Sequence, residues 1–164
     1  MSTTDLMTAF RTLVREDNDA GDPESLRSVV GAKYYDTTPL SGVGTASNLD
    51  RFCALEDQTF GDSDLLPRIT YLCRVAQAFE GKAELRLLVH AYAKSYSLSE
   101  AIANRIRTLL VPPGHRVGTF PRALKPDTLA IGSIQLVSLT PFRDADKQIW
   151  LIQTEYSILC AFKE

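Results

Sequence analysis

Long apolar runs are missing from this sequence of 164 residues, and so is a cationic N-terminal segment followed by an apolar one, since the chain opens Met1-Ser2-Thr3-Thr4-Asp5. Neither a transmembrane helix nor a signal peptide is therefore expected, and the expected place of the protein is the cytosol or something assembled there. An excess of one charge is lacking too. Lysine and arginine number 18 against 20 for aspartate and glutamate, so the molecule as a whole has no basic field with which to hold nucleic acid. Cysteine and histidine are scarce. The three cysteines, Cys53, Cys73 and Cys160, lie far apart among apolar residues, and an odd number cannot all close into disulfides. They read as buried thiols. Neither His90 nor His115 has a cysteine or an acid at metal-ligand spacing, so a hydrogen-bonded or solvated role is the expectation for both.

Familiar motifs are scarce as well. Gly42-Val43-Gly44 lacks the lysine and hydroxyl residue of a phosphate loop and has no strand and helix around it. Asp57, Asp62 and Asp64 have oxygen ligands to offer a cation, but their spacing is not that of an EF-hand and turn acids are commonly solvated. Cys73 and His90, expected on paired strands, are the one nucleophile and base arrangement to inspect. Cys73 falls in the apolar phase of its strand, with no basic cluster to lower its pKa. No catalytic residue, cofactor site or metal site is assigned, and the protein is expected not to be an enzyme.

What is present is the pattern of an ordinary globular chain, 45% hydrophobic and 23% charged, of a length suited to one domain over residues 1–164. Leu6, Met7, Phe10, Leu13 and Val14 recur at helical spacing and predict a helix over Asp5–Glu16. Asp22-Pro23-Glu24 supplies an N-cap and an early proline for a short helix that carries Leu26, Val29 and Val30 and stops at Gly31. Short strands are expected at Lys33–Asp36 and Arg51–Asp57, with a projecting loop over 37–48 between them. Ile69, Tyr71, Cys73 and Val75, the turn Glu80-Gly81-Lys82, and Leu85, Leu87, Val89 and Ala91 describe a β-hairpin.

A capping box at Ser97-Leu98-Ser99-Glu100 opens a second long helix, which Val111-Pro112-Pro113-Gly114 ends. Its polar face shows Asn104, Arg105, Arg107 and Thr108. A second loop is expected over 115–131, and then a closing hairpin of Ile134–Leu139 and Ile149–Phe162. In the last strand Thr154 alone breaks an apolar alternation. The fold class predicted is α+β, a mainly antiparallel sheet with two principal helices packed on one face. Arg105, Arg107, Arg116 and Arg122 form the densest basic group, and they are the candidate contacts with another subunit or partner.

The N-terminal helix, the segment Lys33-Tyr34-Tyr35-Asp36, the hairpin strand from Glu84 to Ala93, the helix Ser97–Val111 and the closing strand from Gln148 to Ile158 together resemble the tail terminator (tail-completion, minor tail protein U-like) family of long-tailed bacteriophages. The resemblance rests on element order and residue character. It implies a virion protein, assembled in the host cytoplasm, that forms a ring of six identical subunits on the head-proximal end of the tail tube. Such a ring stops tube growth and joins the tail to the head connector. The implied partners are other copies of the chain, the tail tube protein and a head connector or neck protein, with no membrane and no specific nucleic acid. Another head-tail joining protein and a small cytosolic enzyme are the alternatives. An enzyme predicts a concave pocket with converging polar groups, whereas assembly predicts apolar patches exposed at opposite sides of the subunit.

Overall fold

A computed structural model describes residues 3–39, 46–55, 66–112 and 124–163. Helix α1, Thr3–Glu16, buries Leu6, Phe10, Leu13 and Val14, a stripe at the spacing seen in the sequence. Phe10 has no exposure and meets the Tyr71 ring edge-on at 5.3 Å between centroids. Burying an aromatic side chain of this kind stabilises by about 2–3 kcal/mol. Helix α2 is Leu26–Val30, and its cap is Ser25, whose side chain accepts from the Ser28 N–H. The expected cap, Asp22, instead holds the preceding turn by accepting from the Glu24 N–H at 2.9 Å. Gly31 then leaves the helix at φ 104°, a backbone conformation that side chains disfavour.

The strand expected at Lys33–Asp36 is instead a 3-10 turn over Ala32–Tyr35. Tyr34 and Tyr35 are consecutive and both are buried, which a strand with alternating faces does not allow on a one-sided core. The Tyr35 hydroxyl donates to the Val14 carbonyl at 2.7 Å, and both rings pack on Phe52 at 5.8 Å. Ser47, expected in a loop, caps helix α3, Asn48–Phe52, by a capping box with Asp50. Strand β1, Cys53–Leu55, follows at once, beginning two residues later than the strand expected over Arg51–Asp57, whose last two residues lie outside the described residues.

Strands β2, Arg68–Phe79, and β3, Lys82–Ala93, form the expected hairpin, with Gly81 at φ 72° in its turn. Helix α4, Tyr96–Leu110, starts two residues earlier than the expected box, because Ser95 accepts from the Leu98 N–H while Ser99 is buried and donates to the Ala91 carbonyl at 2.6 Å. Strands β4, Leu129–Asp144, and β5, Ile149–Phe162, close the chain. Strand β4 exceeds the expected strand at both ends: it begins at Leu129, inside the span expected as a loop over 115–131, and it runs on past Leu139 through Pro141, which an edge strand tolerates.

The five strands lie in the order β1-β2-β3-β5-β4, with β1 parallel to β2 and every other pair antiparallel. The fold is α+β. One sheet face is apolar: Tyr71, Val89 and Leu87 sit in one core cluster with Tyr156, Ile158 and Ile134. Helix α1 packs on it over β1 and β2, and α4 over β3 and β5. Thr154 stays in this row because its hydroxyl donates to the Val89 carbonyl at 3.4 Å.

Candidate functional site

The four arginines grouped by the sequence are divided by the fold. Arg105 is turned into the molecule, its side chain only 15% exposed against 8% for Asp17. Its Nε donates to one Asp17 oxygen at 2.9 Å and a terminal nitrogen donates to the other at 2.7 Å, a two-pronged pair, with Asp22 at 3.5 Å. The hydrogen bond to Asp17 raises the pKa of the guanidinium further above its ordinary value, burial working against it. Asp17 also accepts from the Leu26 N–H at 2.8 Å, so one carboxylate ties α4 to the start of α2. Arg105 therefore holds the chain to itself and is not a free surface charge. Arg107 is exposed on α4. Arg116 and Arg122 lie outside the described residues, as do His115, Gly42-Val43-Gly44 and Asp57, Asp62 and Asp64.

Cys73 and His90 do not meet. Cys73 pairs with Leu87 on the helix-covered face, while His90 pairs with Thr70 and points from the opposite face. Burial pushes the Cys73 thiol up to about 12, with Cys160 adding to the effect. His90 is buried between the Thr70 hydroxyl, 3.5 Å from Nδ1, and the Gln153 amide oxygen, 3.1 Å from Nε2. Among the described residues no three histidine, cysteine or acidic side chains gather as a metal site.

The sheet face away from the helices carries a ladder of charges. Arg74 and Arg86 both reach Glu155, at 3.3 and 3.7 Å, and Arg86 reaches Glu84 at 3.0 Å. Ser157 donates to Glu84 at 2.7 Å, and this bond, with Arg86, holds the Glu84 carboxyl below its ordinary pKa. Charge on this face is thus largely matched within the subunit.

Unmatched features lie at the borders of the sheet. Leu72, Val75 and Phe79 on β2, and Val137, Leu139 and Phe142 on β4, are large apolar side chains between 38% and 56% exposed. They occupy strands on opposite sides of the β3 and β5 pair. At the end near the β4–β5 turn, a groove of about 640 Å³ is lined by Arg68, Tyr92, Arg143, Lys147 and Leu151 among others. There Arg68 stacks on the Tyr92 ring at 4.6 Å and Arg143 on the Trp150 ring at 5.5 Å. At the other end an apolar hollow of about 600 Å³ lies between Phe79, Ala130, Gly132 and Leu159. The arginine grouping missed these borders. Their signal was in the sequence, as a stretch from Leu129 to Phe142 without a single charged side chain.

A comparison with protein-family models finds no match. A comparison with curated protein sequences finds none either.

Proposed function

We propose that the protein is a virion structural subunit that works as a phage tail terminator, closing into a ring of six copies at the head-proximal end of the tail tube. The observation that supports this reading best is the pair of apolar borders, Leu72, Val75 and Phe79 on one side and Val137, Leu139 and Phe142 on the other. A ring needs two different patches per subunit, each meeting the other kind on a neighbour, and closure sets the copy number. The reading asks for no chemistry from the thiols or His90. The tube protein and the head connector or neck protein are its partners, the virion tail is its place, and assembly occurs in the host cytoplasm.

The test is to add the purified protein to growing tail tubes and to measure tube length by electron microscopy. Growth should stop, with one ring on each capped end. Tubes that elongate unchanged, with no protein on their ends, would refute the proposal.

A further inference from the structure

Among the described residues two sheet edges are open, and they differ. Among the described residues, β1 covers only Ile69–Tyr71 of the outer side of β2, which leaves Leu72–Phe79 with no strand beside it. On the far side β4 is, among the described residues, the edge along its whole length. Soluble proteins usually guard such edges with charge, proline or very short strands. Strand β4 has no charge from Leu129 to Phe142, and on β2 from Leu72 to Phe79 the one charge, Arg74, is engaged by Glu155 on the sheet face.

The guards that do exist are placed in register with each other. Pro141, which would block pairing on β4, pairs with Ile152, which is level with Ala91 and through it with Ile69. At that level β2 is already covered by Cys53 of β1. Below it the rows run from Cys73 through Leu87 and Tyr156 to Leu136, and from Val75 through Leu85 and Ile158 to Ile134. Both edges are free of proline there. The bulge between Leu136 and Ser138 turns the rest of β4 out of line where β1 of a neighbour would meet it.

Direction agrees as well. Strand β2 is antiparallel to β3, β3 to β5 and β5 to β4, so β4 runs opposite to β2. A second copy laid beside the first in the same orientation therefore presents its β2 antiparallel to β4, with the helices of both copies on one face. Leu72 of that copy comes level with Ser138 and beside Val137, apolar against apolar.

We infer that copies of this chain join head to tail by strand pairing, Leu72–Gln77 of one copy continuing the sheet at Ser133–Ser138 of the next. This deepens the ring reading and rests on it for closure, while the pairing itself is argued from the edges alone. Isologous pairing of β4 with β4 is the competing arrangement.

A charge swap separates the two. Leu72→Lys and Val137→Glu alter side chains 38% and 47% exposed that this register brings side by side, and circular dichroism checks that each variant is folded. In sedimentation velocity each single variant should weaken self-association at least about tenfold, and both changes in one chain should restore it to within roughly threefold. Leu72→Lys without effect, or a double variant no better than Val137→Glu alone, would overturn head-to-tail pairing and leave tube capping to be judged separately. A wild-type chain that stays monomeric at about millimolar concentration overturns it too, since steady pairing at a closed interface needs far less protein.

Discussion

Replacing Arg105 by methionine keeps the long apolar stem and removes only the guanidinium that Asp17 holds by two hydrogen bonds, at 2.7 and 2.9 Å. Breaking a buried ion pair from one side costs about 3–5 kcal/mol, mostly because the remaining charge is left unpaired away from water. Here Asp17 keeps the Leu26 N–H at 2.8 Å and has 8% exposure, which places the expected loss near the lower figure. A loss of about 3 kcal/mol in a chain of this size lowers the Tm by roughly 6–12 °C.

Urea denaturation of Arg105→Met, Asp17→Asn and the double variant, with Arg107→Met as a surface control, measures the effect directly. Asparagine can still accept from Leu26, so the double variant should recover to within about 1 kcal/mol of the wild type, giving a coupling of about 2 kcal/mol or more. The control should stay within about 0.5 kcal/mol. If Arg105→Met lost less than about 1 kcal/mol yet abolished self-association, Arg105 would be a contact residue after all and the assignment to internal bracing would be wrong.

Two further outcomes follow from titrating groups. Burial works to raise the Asp50 pKa, but hydrogen bonds from Ser47 and the charges of Arg15 and Arg11 outweigh it and hold the carboxyl low. A depressed folded pKa gives stability that is present above the unfolded value, about 3.9, and is lost as pH falls through the folded one. Asp50→Asn should therefore be less stable than wild type at pH 7 and nearly equal to it at the acid end, and urea midpoints with parallel pH profiles for the two proteins would contradict this. Cys53 and Cys73 are buried and pushed up to about 12, and burial also raises Cys160. Only about one thiol in ten thousand with such a pKa is ionised at pH 8. A thiol reagent should leave the native protein untouched for hours and label all three cysteines in guanidinium, and rapid native labelling of Cys73 would show the core to be open.

The elements legible in advance are those whose side chains repeat. Helix α1, the β2–β3 hairpin and β5 bury one face over several turns or rungs, so the period stands out from local noise. Ala32–Tyr35 and Asn48–Phe52 are too short to show a period, and packing of Tyr34 and Tyr35 on Phe52 decides them. The misplaced start of α4 has a local cause. Serine recurs at 95, 97 and 99, and only the turn from Ala93 makes Ser95 the cap and sends Ser99 inward. Arg105 was misread for a different reason: helical phase puts it on a polar face, but its acid lies 88 residues away in the chain. Spacing along one helix carries no information about such a partner.

The charge ladder and the bare edges point the same way when taken together. Glu84, Arg86, Arg74 and Glu155 satisfy one another on the open sheet face, so that face offers a partner few unpaired charges. The edges have polar backbone and apolar side chains with nothing beside them among the described residues, and backbone left in that state favours another strand over water. If copies join at those edges, the two ends of the sheet become the two faces of the ring. They are chemically unlike. The end with the β4–β5 turn carries Arg68 and Arg143 over aromatic rings, with Lys147 in the same groove, whereas the end with the β2–β3 turn carries Phe79 and Phe162, 56% and 40% exposed. On the proposed tail-terminator reading, a ring whose two rims differ in this way would present unlike surfaces to tube and connector, and its orientation on the tail would follow from the polarity of a single subunit.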